Sequence, residues 1–452
     1  MAAVTSALDV FQRGVAALND HQFEEAIGLF ESLLPAAAGE PGLWHNLGIA
    51  LRKSEKLESA LACARRAVEL EPASPTFKSA LGNCLSALDH GPEAIAAQEA
   101  ALNAAPGDFN IRLNYAFTLR EFGRLDRALE EIQKCCEMQP DHVEAAWERG
   151  IILRSMGRFP EGWGDFDMRW KRRNKKEPVY GAPRWRGEDL SGKTILVSEE
   201  QGFGDTILCA RYIPLLKARG ARVLFGCRPA LHRLFSGVQG LDRIVSAGPL
   251  GERFHYHSPI MSLPGIFGTT LDSVPPVPDL FAAPGPPPLA GAHLKSAASR
   301  LKVGIVWSGN PEFPENRKRA VTIERFLAIA GTPGIQLFSL QKGPGEDQLA
   351  ASGAGAIIPA LGPLMGDFAD TAATLKQLDL VIMTDSSVAH LAGSLGVPVW
   401  NLLHYRPYWL YGMTGEETPW YRSMRLIRQP APGDWDSAFA QVARELAAKC
   451  QR

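Results

Sequence analysis

WHNLGIALRKSEKLESAL, residues 44–61, superposes on KSALGNCLSALDHGPEAI, residues 78–95, when the chain is shifted by 34 positions. The same shift aligns Ala26, Ala60, Ala94 and Ala128, and it aligns Pro72, Pro106 and Pro140. Gly14, Gly48, Gly82 and Gly150 form a third column, with Ala116 as the one small substitute, and Leu51, Leu85, Leu119 and Leu153 form an apolar fourth. Self-similarity at a fixed period of this length marks a stack of small structural units.

Small residues let two helices approach closely, leucines fill the groove between them, and proline stops the second helix before the next unit begins. Each unit therefore reads as a helix hairpin. The pattern resembles the tetratricopeptide repeat (TPR) over roughly residues 11–170, most closely at WHNLGIAL, and the last unit, ending near Gly162, drifts as a cap does. Stacked hairpins make an all-α solenoid whose concave face usually binds a peptide or a partner surface. Asn46, Asn83, Asn114 and Arg120 are the candidate protein-binding donors. A structural or dimerising arm is the alternative use.

Charged residues make up 21% of the 452 and the formal net charge is -1, so no overall field selects nucleic acid or a membrane surface as partner. Seven cysteines lack metal-ligand spacing, which fits a reducing compartment. The N-terminal MAAVTSALDVFQRGVAAL has no basic segment leading into a continuous apolar core, and no apolar run reaches membrane-spanning length. The expectation is a cytoplasmic protein without a membrane span.

Beyond the repeats, expected over 1–170, and a basic, aromatic connector (RWKRRNKKEPVYGAPRWRG, 169–187; connector domain 171–192), short β-branched runs alternate with helical patterns. Strands are expected at Thr194–Ser198, Ala221–Gly226 and Arg243–Ser246, then at Val303–Trp307, Gln336–Ser339, Leu380–Thr384 and Val397–Leu402. VPPVPDLFAAPGPPPLAG, 274–291, reads as a linker between two α/β lobes, 193–273 and 293–452, with the linker assigned to 274–292. Ligands of such sheets bind beyond the carboxyl ends of the strands.

Two segments follow strand ends there. In EEQGFGDTILCARYIPLL, 199–216, Gly202 and Gly204 permit a tight turn, and Asp205 either projects from the helix start into a cleft or caps that helix. In TDSSVAHLAGSLGVPVW, 384–400, Asp385, Ser386 and Ser387 open a helix with His390 one turn on, which suits either an anion site or a capped helix with a buried histidine. The aromatic HYRPYWLYGMTGEETPWYRSM, 404–424, suits stacking of a base or sugar, or latching of the C-terminal helix over the first lobe. His255 and His257 read as loop or wall residues rather than metal ligands. The D-x-D pair Asp165 and Asp167 falls in the last helical unit and reads as solvated surface rather than a metal site.

Together with VGIVWSGNPE (303–312) and FSLQKG (338–343), these two segments resemble the signatures of heptosyltransferase-like GT-B glycosyltransferases across about residues 190–450. Repeats placed ahead of such a domain resemble bacterial flagellin-modifying transferases and, by architecture, the O-GlcNAc transferases. The resemblance implies two Rossmann-like lobes facing a cleft, with Asp205 as general base and Gly202 and Gly204 among the donor-binding residues. It implies donor phosphates held by Asp385, Ser386, Ser387 and His390, with serine in place of the frequent threonine. Ser308, Gly309 and Asn310, after the first strand of the second lobe, are further donor-binding candidates; Arg317, Lys318, Arg319 and Lys342 are candidate cations for the leaving group.

The chemistry so implied is metal-independent, inverting transfer from a nucleotide-sugar co-substrate, with no cofactor, to a Ser or Thr hydroxyl of a protein held by the repeats. Flagellin is the favoured acceptor by resemblance. A lipopolysaccharide or glycan acceptor is the second reading, and a non-catalytic scaffold with degenerate sugar-binding lobes is the third.

Overall fold

The computed structural model describes residues 6–172, 176–246, 253–313 and 315–450. Residues 1–5 of the N-terminal segment and Arg173, Asn174 and Lys175 of the connector lie outside the described residues. Ten α-helices come first: α1 (Ala7–Asn19), α2 (Phe23–Ala37), α3 (Pro41–Lys53), α4 (Leu57–Leu70), α5 (Pro75–Ala87), α6 (Gly91–Ala104), α7 (Phe109–Glu121), α8 (Leu125–Met138), α9 (Val143–Ser155) and α10 (Phe159–Phe166). The odd-numbered helices begin at 7, 41, 75, 109 and 143, so the period seen in the sequence is the period of the helix starts.

Local chemistry sets those starts. Ser6 and Asp9 close a capping box on α1, proline occupies the first turn of α3 and α5, and the Asp108 carboxylate accepts from Ile111 N at 2.9 Å to cap α7. The small columns mark close approach. A Cβ on Gly14 would sit 2.6 Å from the Phe30 ring and one on Gly82 would sit 2.8 Å from Gln98, while Ala26, Ala60, Ala94 and Ala128 are wholly buried. A further column was not read from the sequence. His21, Glu55, Asp89, Gly123 and Gly157 all adopt left-handed backbone, at φ between 60° and 77°, in the turn inside each hairpin.

The chain divides into two compact units, 1–153 and 154–452, with the division inside α9. It therefore falls earlier than the boundary near 170. The reason is aromatic packing: Phe159 and Trp163 of α10 pack on Trp409, and Trp163 Nε1 donates to the Thr269 carbonyl at 2.9 Å. Asp165 is 7% exposed, which corrects its assignment to a solvated surface, whereas the Asp167 side chain is 40% exposed and accepts from Arg169 and Arg184.

The second unit holds two all-parallel sheets. The first contains β1 (Thr194–Ser198), β2 (Arg222–Gly226), β3 (Arg243–Val245) and β4 (Tyr256–Pro259), in the order β3-β2-β1-β4. The second contains β5 (Leu301–Val306), β6 (Ile335–Ser339), β7 (Leu380–Thr384), β8 (Val399–Leu403) and β9 (Met424–Arg428), in the order β6-β5-β7-β8-β9. The expected strands are present with shifted ends, and β4 and β9 are additional. His257 lies in β4, an edge strand, where its terminal Pro259 is tolerated because one side needs no ladder donor.

The C-terminal helix Trp435–Cys450 buries Trp435, Phe439, Val442 and Leu446 against Val303, Ile305, Ile382 and Ile427 of the second sheet. Its apolar face thus serves the second lobe, not the first-lobe latch suggested for the 404–424 segment. The proline-rich segment is docked: Phe281 N donates to Leu234 O and Ala283 N to Ala369 O. Among the described residues no helix is long and apolar enough to cross a membrane.

Candidate functional site

Strand order places the site. β1 lies between β2 and β4, and β5 lies between β6 and β7, so in each sheet the chain leaves a central strand to opposite sides and opens a crevice at its carboxyl end. The segment after β1 carries Asp205, the segment after β5 carries Ser308, and the segment after β7 carries Asp385. All three were singled out from sequence.

The turn after β1 is made by Gln201, at φ 60°, rather than by either glycine. Gly202 stands at the N-cap of α11 (Phe203–Cys209) with extended backbone, and its N–H donates to Asp205 Oδ2 at 3.0 Å. Gly204 has a different purpose. A Cβ there would lie 2.5 Å from His390 Cδ2, so this glycine admits the histidine of the second lobe against the backbone of the first. Asp205 is thus both a helix-capping carboxylate and a half-buried group at the junction of the lobes. Burial pushes its carboxyl up to about 6, against the pull of the Gly202 and Tyr408 hydrogen bonds.

In the second lobe, Ser386 is the N-cap of the Ser387–Ser394 helix, yet its hydroxyl makes no capping bond. Ser386 Oγ is buried without a hydrogen-bond partner, and so are Thr384 Oγ1, Trp307 Nε1, Arg319 Nε and, at the end of β1, Ser198 Oγ. Asp385 is 6% exposed, accepting from Tyr411 Oη at 2.9 Å and from Arg319 Nη1 at 3.4 Å. His390 is 5% exposed and shares a 3.0 Å hydrogen bond between Nδ1 and Tyr421 Oη. Burial pulls its imidazole down to about 4, so it is neutral near pH 7. His390, expected among the phosphate-holding residues, is therefore a packed joint between lobes rather than a cationic contact.

The loop after β5 is organised by two side chains that sequence reasoning passed over. Gln341 Oε1 accepts from Trp307 N and Ser308 N, both at 3.1 Å, and its amide nitrogen donates to Ser308 O at 3.0 Å. Asn316 accepts from Gly309 N at 2.9 Å and donates to Ser308 Oγ at 3.1 Å. Asn310 is exposed and bonds Glu312 N locally. Lys318 lies 3.8 Å from Glu315. Lys342, expected to face the cleft from its strand end, is exposed and gives its ammonium to the Met365 carbonyl, while its neighbour Gln341 is the buried member of FSLQKG. The signal was present in that quoted segment, but a cation drew attention from an amide.

The 404–424 segment takes neither expected course as a whole. Trp409 and Trp420 pack with Phe159 of α10, whereas three tyrosine hydroxyls reach the candidate residues: Tyr408 to Asp205 at 3.1 Å, Tyr411 to Asp385, and Tyr421 to His390. Buried Arg211 donates to Pro275 O and Trp420 O, both at 3.1 Å, and ties the first lobe to this segment. Among the described residues no group of three or more His, Cys, Asp or Glu is placed to hold a metal ion.

In the helical unit, α3, α5 and α7 line a groove of about 240 Å³ that includes His45, Arg52, Asn83, Asp108 and Asn114. Asn83 and Asn114 reach it as parts of one network: Gln98, wholly buried, donates to Asn83 Oδ1 at 2.8 Å, and Asn114 donates to Ser79 Oγ at 3.1 Å. The other two expected donors do not line it. Asn46 donates to Gly42 O of its own helix, and Arg120 is paired with Glu121 and Glu148.

Protein FlbA of Caulobacter vibrioides (strain ATCC 19089 / CIP 103742 / CB 15) is 26% identical, over 89% of this chain and 72% of its own length. Among solved structures, YrrB, described as a TPR protein with an unusual peptide-binding site, is 16% identical with a TM-score of 0.30, covering 37% of this chain and 87% of that one. TTC0263, a thermophilic TPR protein of Thermus thermophilus, is 18% identical with a TM-score of 0.35, covering 37% and 91%. Two family models, each described as a tetratricopeptide repeat, match residues 45–109 and 109–142. Residues 45–142 of the helical part are thus tetratricopeptide repeats, in the register that the 34-residue spacing sets.

Proposed function

We propose that the second unit is a GT-B glycosyltransferase that moves a sugar from a nucleotide-sugar donor to a Ser or Thr hydroxyl of a protein held by the repeats. The observation that carries the reading is the meeting of the two signature segments: Gly204 of the Asp205 helix and His390 of the Asp385 helix are in van der Waals contact across the lobes. The unpartnered polar atoms of the part-exposed Arg319 and Ser386 add to it, because buried donors without partners are costly and a phosphate would satisfy them.

Asp205 takes the proton from the acceptor hydroxyl. The acceptor oxygen then bonds to the anomeric carbon on the face opposite the nucleotide, and the bond from that carbon to the phosphate oxygen breaks, its electron pair leaving with the phosphate. Arg319, Lys318 and the first amides of the Ser387–Ser394 helix stabilise the charge so formed, and the sugar configuration inverts. Flagellin is the acceptor supplied by the resemblance to flagellin-modifying transferases.

Asp205→Asn keeps the volume of the side chain and removes its basicity. Transfer by the purified variant, followed by intact-mass spectrometry of the acceptor, should fall at least a thousandfold while acceptor binding persists. Undiminished transfer by this variant would refute the base assignment.

A further inference from the structure

We propose that Tyr408 is the positioning residue of the base, its phenol holding Asp205 Oδ1 in the place from which the acceptor proton is taken; this rests on the transferase reading. Asp205 has two oxygens and the structure assigns them separate duties. Oδ2 receives Gly202 N–H at 3.0 Å and fixes the carboxylate to its own loop, and Oδ1 receives Tyr408 O–H at 3.1 Å from the other lobe. A carboxylate oxygen has two lone-pair directions, so the phenol fixes one and leaves the second for an acceptor hydroxyl.

Tyr408 suits this duty because its base is rigid. The next residue, Trp409, is 6% exposed and packs edge-on against Phe159, Trp163 and Trp420, with the Arg154 guanidinium 5.6 Å from its ring. A phenol so anchored does not swing aside as a gate would. The two companion contacts, Tyr411 on Asp385 and Tyr421 on His390, show the same segment setting the orientation of three groups at one junction. The charged and titratable groups facing Asp205 are Glu200, held by Arg169 at 2.8 Å, Asp385, held by Arg319, the buried Cys209 thiol and Tyr408, with Arg154 beyond it. Tyr408 is the hydroxyl among them that touches the carboxylate.

The test compares Tyr408→Phe with 3-fluorotyrosine in place of Tyr408, in the full chain. The first removes the donor without changing shape; the second strengthens it. Two readouts are taken: the pH profile of kcat and KM for transfer, and the carboxyl titration of Asp205 followed by carbon-13 NMR, assigned with Asp205→Asn. The expected result is an acid limb and a titration midpoint about one pH unit higher for Tyr408→Phe, a tenfold loss of proton acidity, with kcat lowered below the limb and donor KM unchanged. The fluorinated protein should move both the other way. Unmoved midpoints, or a Tyr408→Phe variant faster than the parent at every pH, overturn the proposal. A parent protein that transfers no sugar refutes the transferase reading, and the NMR titration still decides the role of Tyr408.

Discussion

Asp205 and His390 touch the same junction and are displaced in opposite directions by the same cause, burial beside another lobe. The consequences for stability are opposite too. Asp205 binds its proton more tightly folded than unfolded, so its contribution is complete below pH 3.8 and is lost as pH rises through about 6. His390 binds its proton less tightly folded, so its contribution is complete above pH 6.5 and is lost as pH falls through about 4. Asp205→Asn should therefore unfold at higher urea than the parent at pH 7.5, and the advantage should vanish near pH 4; equal midpoints at both pH values would show that burial does not burden the carboxylate. The positions of Asp205, Asp385, Ser386 and Ser308 just beyond strand ends were legible at this scale. What each does there was not, since hydroxyl partners such as Tyr408 arrive from 203 residues away along the chain.

At the scale of elements, the repeat hairpins were legible because each is closed by residues near in sequence. The left-handed turn position was hidden by its composition: glycine fills it at 123 and 157, but His21, Glu55 and Asp89 hold the same backbone with a Cβ that crowds the following carbonyl. Glu55→Gly relieves that crowding, at φ 61°, and gives up some chain entropy, for a net gain of about 0.5–1 kcal/mol. Chemical denaturation should show the gain, with Gly123→Ala showing a loss of about the same size; a destabilised Glu55→Gly would mean that the turn is not strained. Strands were less legible. β4, within RFHYHSP, has no β-branched run and ends in proline, and β9 follows an aromatic stretch whose tryptophans belong to another cluster, so local pattern did not mark either.

At the scale of the whole molecule, the division at 153–154 changes how the units are tested. Removing residues 1–170 would strip Phe159, Trp163 and Arg169 from the second unit, where Arg169 grips Glu200 of the Asp205 loop through two 2.8 Å bonds. Removal of residues 1–142 leaves α9 and α10 in place. That truncation should retain hydrolysis of the nucleotide-sugar donor and lose transfer to the protein acceptor by at least a hundredfold; full protein transfer would show that the repeats do not hold the acceptor. The sequence alone determined the period, the helix starts, two α/β lobes and the strand ends bearing polar residues, because periodicity, caps and burial of short apolar runs are properties of neighbours along the chain. Only the tertiary structure decided where the first compact unit ends, that His390 is buried against Gly204, and that tyrosines of one segment hydrogen-bond Asp205, Asp385 and His390, because hydrogen bonds and desolvation depend on which distant residues the fold brings together.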